Sequence, residues 1–261
     1  MLKNLFNSMP VVTKNLFLLN ILVFIVLLTG GSEFYGGGYK LNDVLGMHYF
    51  GSVKFEPYQV ITHLFCHGDP FHLFFNMFAL IMFGAVLERV WGPKRFFIFY
   101  FICGFGAVAL HMIVAHIEIQ NMLASPSDAT IELANRLHFP DVKSMIQVYG
   151  SEILDQGQNF SDPYLGSINT SYNITMVGAS GAIYGLLIGF GMLFPNEKLM
   201  LMFFPVPIRA KYFIPGLILI ELFLGVKNFE VDNVAHFAHL GGALFGFILI
   251  KIWNRNRNRF Y

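Results

Sequence analysis

Residues 176–194 read MVGASGAIYGLLIGFGMLF. The run carries no charge and is close to the roughly 20 apolar residues that cross a bilayer core. Gly181, Gly185 and Gly189 recur every four residues, so one helix face is stripped of side chains. Small residues at that spacing let two helix backbones approach closely. A second run, 233–253, repeats the device with Ala238, Gly242 and Gly246. Packing one stripe on the other brings Ser180 near His239. That pairing decides the fold, which is helix against helix inside a membrane.

The rest of the chain agrees. Of its 261 residues 55% are hydrophobic, only 13% are charged, and mean hydropathy is +0.57. A soluble domain carries roughly 25% charged residues, so a soluble enzyme and a disordered chain are both disfavoured. Net charge is +1, so no global field attracts nucleic acid. Cys66 and Cys103 make neither a disulfide scaffold nor a cysteine zinc site and read as free structural thiols. Six apolar runs stand out, at 13–30, 71–90, 96–116, 176–194, 211–227 and 233–253. The first is an uncleaved helix, since no clear cleavage site follows it. The expected fold is an all-α bundle of six membrane helices, a single domain over 1–261.

Six spans put both termini on one side. That side holds 12 of the 17 lysines and arginines, from Lys3 and Lys14 to the basic tail Lys251–Arg259, and the other side holds 5. Basic residues mark the cytoplasmic side. The reading is therefore an integral, multi-pass protein of the bacterial inner membrane, with cytoplasmic termini and the tail as a topology anchor. Two large loops face outward. Residues 31–70 include Gly36-Gly37-Gly38, and residues 117–175 form an inserted extension. In the second loop, 128–158 is expected to form amphipathic helices with Ile131, Leu133, Ala134 and Leu137 on one face. Asn159, Asn169 and Asn173 stand in N-x-S/T patterns, which matter only in a eukaryotic secretory setting. The inner loop 195–210, with Pro195, Pro205 and Pro207, is too short to span and is expected to form an interfacial hairpin or re-entrant piece.

Polar side chains inside a membrane bundle are functional candidates. The second, fourth and sixth runs each place them near their outer start. These are His72 and Asn76, then Ser180, then His236 and His239. At ~1.5 Å rise per residue, Ser180 and His239 lie on the order of 6–9 Å below the outer boundary. A serine hydroxyl becomes a nucleophile when an adjacent imidazole takes its proton. His72 and Asn76, i and i+4 on one face, can both donate to one oxygen, as can the Ser180 N–H at its helix start; together they form an oxyanion hole. Asp232 is too shallow and Glu221 lies mid-span, so no carboxylate is expected to orient His239, and a dyad is expected. Glu221 reads as a packing or gating residue, and His236 as a contact to loop or water. His67 is a candidate buttress for the second run.

Other chemistries lack their motifs. There is no H-E-x-x-H for a zinc protease, no aspartate pair within the spans, and no phosphate-binding G-x-x-x-x-G-K-[ST] loop. Gly104 to Ala109 fits G-x-G-x-x-A, but inside an apolar run it reads as helix packing.

With His72-Leu73-Phe74-Phe75-Asn76, Gly178-Ala179-Ser180-Gly181 and Ala238-His239-Leu240-Gly241-Gly242 in order, the chain resembles the rhomboid intramembrane serine proteases. Phe83-Gly84-Ala85-Val86-Leu87-Glu88-Arg89 extends the likeness. The resemblance covers roughly 10–116 and 176–253. It implies a six-helix bundle with an outward-opening, water-filled site. It implies Ser180 as nucleophile, His239 as base, His72 and Asn76 as oxyanion donors, and Tyr184 stacked on the histidine. Tyr58-Gln59 stands where many members carry Trp-Arg, which puts the usual anchoring of the first loop in doubt. The expected function is a serine endopeptidase without cofactor, cleaving transmembrane segments of other membrane proteins. Lipid and those substrates are its partners, and nucleic acid is not. An inactive rhomboid-like protein that binds membrane partners is the alternative, and a channel or transporter is a more distant one.

Overall fold

The computed structural model describes residues 8–29, 41–173, 175–201, 204–227 and 235–257. The glycine run Gly36-Gly37-Gly38, Lys3, Lys40, Asp232 and the end of the basic tail at Arg259 lie outside them. The described elements are mostly helical. In chain order they are α1 (Val11–Thr29), α2 (Leu41–Leu45), α3 (Gln59–Thr62) with a 3₁₀ turn at His63–Phe65, α4 (Pro70–Trp91) and α5 (Pro93–Leu123). Then follow α6 (Asp128–Arg136), α7 (142–155), α8 (Pro163–Asn173), α9 (Ser180–Leu193), the strands β1 (Lys198–Leu201) and β2 (Phe204–Arg209), α10 (Ala210–Lys227) and α11 (His236–Arg257).

Among the described residues, four helices are long and apolar enough to cross a membrane: α1, α4, α5 and the His236–Asn254 part of α11. Helix α9 has 14 residues, about 21 Å at ~1.5 Å per residue. It starts four residues later than its apolar run, because Gly178 takes φ +124° and breaks the backbone before it. Helix α5 runs to Leu123, so the first residues after 116 are helix rather than loop.

The described residues fall into two compact units. One is drawn from Met1–Phe24, His67–His111 and Gly178–Tyr261, the other from Ile25–Cys66 and Met112–Val177.

In the first unit, Asp69 caps α4 by accepting from the N–H groups of Phe71 and His72, with Pro70 at the first helical position. Both choices suit a helix start. Within α4, Leu80–Gly84 widens into a π turn. Glu88, 3% exposed, reaches the start of α1 and accepts from the Val12 N–H at 2.9 Å and from the Thr13 N–H and hydroxyl at 2.8 Å each. A buried carboxylate is tolerated there because helix-start N–H groups lack backbone partners and favour negative charge. Helix α9 lies most extensively on α11. A Cβ on Gly242 would fall 1.8 Å from the Gly181 carbonyl oxygen, and one on Gly246 3.0 Å from the Gly185 Cα. The inner loop is an antiparallel hairpin, pairing Lys198 with Arg209 and Leu199 with Ile208. Leu187, Phe190, Ala210 and Ile214 form a buried cluster beside it.

In the second unit, single amide side chains tie the loops. Gln59, 1% exposed, donates to the carbonyls of Val44 and Lys54 and accepts from the N–H groups of His48 and Glu56. So Gln59 supplies anchoring contacts of its own in the first loop. His48 Nε2 lies 2.7 Å from the Asp43 carbonyl oxygen. Burial is the main influence on its ring and pulls its pKa below the ordinary histidine value. Helix α6 forms where amphipathic structure was expected, but its buried positions are Thr130 and Ala134, while Ile131 is exposed. The Ser127 hydroxyl caps α6 by accepting the Thr130 N–H, and it also bonds the buried Thr130 hydroxyl. Asn169 and Asn173 are buried, and their amides donate to the Gly150 and Ile146 carbonyls. As folded, these two offer no exposed glycan acceptor.

Candidate functional site

Gly178 sets the turn. Its positive φ is strained for any residue with a side chain, and a Cβ there would lie 2.7 Å from His72 Nε2 and 3.7 Å from Ser180 Oγ. The His72 ring therefore sits against the turn that delivers the serine. Ser180 opens α9, and no side chain caps that helix start. Its first N–H groups are thus available to an oxygen with developing negative charge.

Across the glycine contact, His239 Nε2 is 2.8 Å from Ser180 Oγ. The Tyr184 ring lies on the His239 ring, 4.3 Å between centroids and 8° from parallel. Tyr184 is one turn below Ser180, so α9 supplies both the hydroxyl and the plane that holds the imidazole. On α4, Asn76 is buried and donates one N–H to the His72 carbonyl at 2.8 Å. An amide has a second N–H to offer. The His67 ring stands edge-on to the His72 ring at 5.0 Å.

Two expectations need correction. A carboxylate does reach His239. Glu221 Oε2, from α10, is 3.0 Å from His239 Nδ1 and 2.6 Å from His236 Nδ1, and Tyr184 donates its hydroxyl to Oε1. The approach to His239 is short but poorly aligned for a hydrogen bond. Nor does His236 turn to water, for it is 8% exposed and held by Glu221. The sequence did hold a signal. A mid-span carboxylate must be paired, and a buried tyrosine hydroxyl wants an acceptor.

Among the described residues, Glu221, His236 and His239 are the one group whose ligating atoms come within 4.8 Å of one another. The 2.6 Å contact is a hydrogen-bond distance, and the other His239 nitrogen faces Ser180. The triplet is therefore better read as a proton-sharing cluster than as a metal centre. Cys66 and Cys103 are free and buried. Burial pushes the Cys66 thiol up to about 12, so it is unreactive near neutral pH.

Comparison with known proteins matches residues 54–120 and 155–256, well over half of the chain, to the Rhomboid domain. The unmatched stretch between them falls within the 117–175 loop. The chain is similar to "Rhomboid-like protein 15" of Arabidopsis thaliana, 27% identical over 116 residues, which is 44% of this chain and 27% of that protein. It is also similar to an "Uncharacterized rhomboid protein", mitochondrial, of Schizosaccharomyces pombe, 36% identical over 91 residues, or 33% of this chain and 23% of that one. Each match thus spans about a quarter of the relative's length. With its apolar helices and this domain match, the chain is an integral membrane protein and belongs to the rhomboid family.

Proposed function

We propose that the protein is an intramembrane serine endopeptidase acting on transmembrane segments of other membrane proteins. One observation carries the reading: His239 Nε2 lies 2.8 Å from Ser180 Oγ while Tyr184 holds the imidazole plane. His239 takes the Ser180 proton as Oγ attacks the scissile carbonyl. The tetrahedral oxyanion is met by His72, Asn76 and the Ser180 N–H. His239 then protonates the leaving amine, and water, activated by the same imidazole, releases the acyl group. An intact helix hides its carbonyls, so substrates with small, helix-weakening residues near the cleavage point are favoured.

In this reading α9 and α10 join the four longer helices as six spans of one membrane domain. The 117–175 loop lies outside and the termini are cytoplasmic, as the 12-to-5 split of basic residues supports. A bacterial inner membrane suits that split; the mitochondrial relative makes an organellar membrane the competing setting. The inactive, partner-binding alternative has no use for a serine held against an imidazole.

Labelling with a serine-directed fluorophosphonate tests the chemistry. Wild type should label and cleave a model transmembrane substrate, while Ser180→Ala should do neither yet remain folded. Turnover by Ser180→Ala would end the proposal. Orientation has its own test. Gln158 is exposed, and Gln158→Cys, with Cys66 and Cys103 replaced, should react with an impermeant maleimide on intact cells. Reaction only after lysis would invert the topology.

A further inference from the structure

We infer that Glu221 is the positioning residue of His239, so that the site works as Ser180–His239–Glu221 with Tyr184 and His236 bracing the carboxylate. The inference rests on the serine mechanism proposed above.

A general base must offer Ser180 a bare nitrogen. His239 faces Ser180 with Nε2, so its proton must sit on Nδ1. A histidine tautomer is set by the partner of its other nitrogen. The carboxylate beside Nδ1 is Glu221, with Oε2 at 3.0 Å. His239 Nδ1 is buried and has no other hydrogen-bond partner, so the Glu221 carboxylate 3.0 Å away is the group placed to receive its proton. Catalytic hydrogen bonds are often long or misaligned before substrate binds and tighten in the complex, so the imperfect alignment fits an unliganded site.

The carboxylate is itself held. His236 Nδ1 donates to Oε2 at 2.6 Å and the Tyr184 hydroxyl donates to Oε1. Tyr184 thus touches His239 twice, directly by its ring and through Glu221 by its hydroxyl. Three helices contribute, α9 the serine and tyrosine, α10 the carboxylate and α11 both histidines. Imidazolium formed during attack would meet a fixed negative charge instead of an uncompensated interior. The other imidazoles near enough to sense a charge on His239 are His72 and His111, and neither can play the anion's part.

The test is steady-state cleavage of a transmembrane substrate across pH 5–9, in detergent, with Glu221→Gln and Glu221→Asp beside wild type and Ser180→Ala. Glu221→Gln keeps size and hydrogen-bonding capacity but loses charge. Its kcat should fall about 10²-fold or more, within the range a misoriented base costs, with KM little changed. The acidic limb of its kcat/KM profile should move to lower pH, because the imidazolium has lost its counter-charge. Glu221→Asp should stay faster than Glu221→Gln and keep the wild-type limb. A merely structural glutamate would move neither the limb nor the ranking of the two variants. Wild-type kcat and limb in Glu221→Gln overturn the inference, as does a Glu221→Asp no faster than Glu221→Gln. Should Glu221→Gln fail to fold, Tyr184→Phe takes its place. It keeps the stacked ring, frees Oε1, and should lose kcat several-fold at unchanged KM; wild-type kinetics there overturn the inference too. A cleaving Ser180→Ala would instead sink the serine mechanism, whatever Glu221 does.

Discussion

Each of the two units is packed internally by a different means. In the unit that carries Ser180, backbone meets backbone. Gly181, Gly185, Gly242 and Gly246 remove the side chains that would keep α9 and α11 apart. Lipid is as apolar as leucine, so burial gives little drive for one helix to leave it for another, and close packing must supply the attraction. In the other unit, polar side chains reach across to backbone. Gln59, Gln147, Asn169 and Asn173 are each shared between segments far apart in sequence. Those loops must satisfy carbonyls that no regular ladder covers. The first strategy tolerates no added atom, and the second tolerates no lost one.

The contrast is broken most forcefully at Gly242. A methyl group there would overlap the Gly181 carbonyl, and both partners are backbone, which cannot rotate away. Gly242→Ala should therefore cost about 1–3 kcal/mol, the usual range for overpacking, and depress Ser180 labelling as the helices separate. Gly216→Ala is the control, because a Cβ there meets nothing within 4 Å. It should be neutral or gain up to about 1 kcal/mol from helix propensity. Thermal melts in detergent decide it, and equal losses in the two variants would refute the close-packing account.

The reverse test removes atoms. Gln59→Ala leaves the Val44 and Lys54 carbonyls and the His48 and Glu56 N–H groups without their shared partner. Unsatisfied buried groups cost about 1–3 kcal/mol. Water can enter a loop more readily than a helix contact, so the lower half of that range is expected. The readout is faster hydrogen exchange over residues 44–59. Ser180 labelling in the same sample gauges independence. Retained labelling keeps the two regions separate, and parallel loss joins them.

This difference also explains what the sequence could reveal. Glycines every fourth residue are a periodic signal, so the pairing of α9 with α11 was legible, and Ser180 and His239 followed from it. Glu88 and Glu221 were visible as carboxylates in apolar runs, but nothing in one dimension names the partner a buried charge will find. Reading Glu221 as gating overlooked that α10 could turn one glutamate toward two histidines three residues apart. The amide ties of the second unit carry no period at all. Gln59 looked like a departure from the family pattern although it has four hydrogen bonds to make. On α6, apolar count suggested Ile131 as buried. The packing buries Thr130 beside Ala134 instead, and the Ser127 hydroxyl satisfies the Thr130 hydroxyl that this brings inside.

The smallest expected effect sharpens the comparison by titration. Asp141 starts the 142–155 helix, its carboxylate accepting the Ser144 N–H at 2.6 Å. The bonds from the Ser144 backbone and hydroxyl hold the carboxyl below the usual aspartate range, although the residue is exposed. A carboxyl depressed on folding contributes stability that is present above its unfolded value of about 3.9 and lost as pH falls through the folded one. Solvent screening keeps that share small, so the cap as a whole should be worth about 0.5–1 kcal/mol. Asp141→Ala should lose that amount relative to wild type at pH 7 and less at pH 3, where wild type has itself given up part of the contribution. Asp141→Asn still caps but does not titrate, so it should track wild type at pH 7 and lack the acid-dependent part of the loss. Amide exchange over 142–150 at the two pH values measures this locally, where a global melt would bury it. An Asp141→Asn variant that loosened between pH 7 and pH 3 as much as wild type would assign the acid sensitivity of this helix to some other group. If Asp141→Ala reduced exchange protection at neither pH, a polar tie at a helix start would be worth less here than the amide ties at Gln59 and Asn169, and burial rather than bond count would govern the second unit.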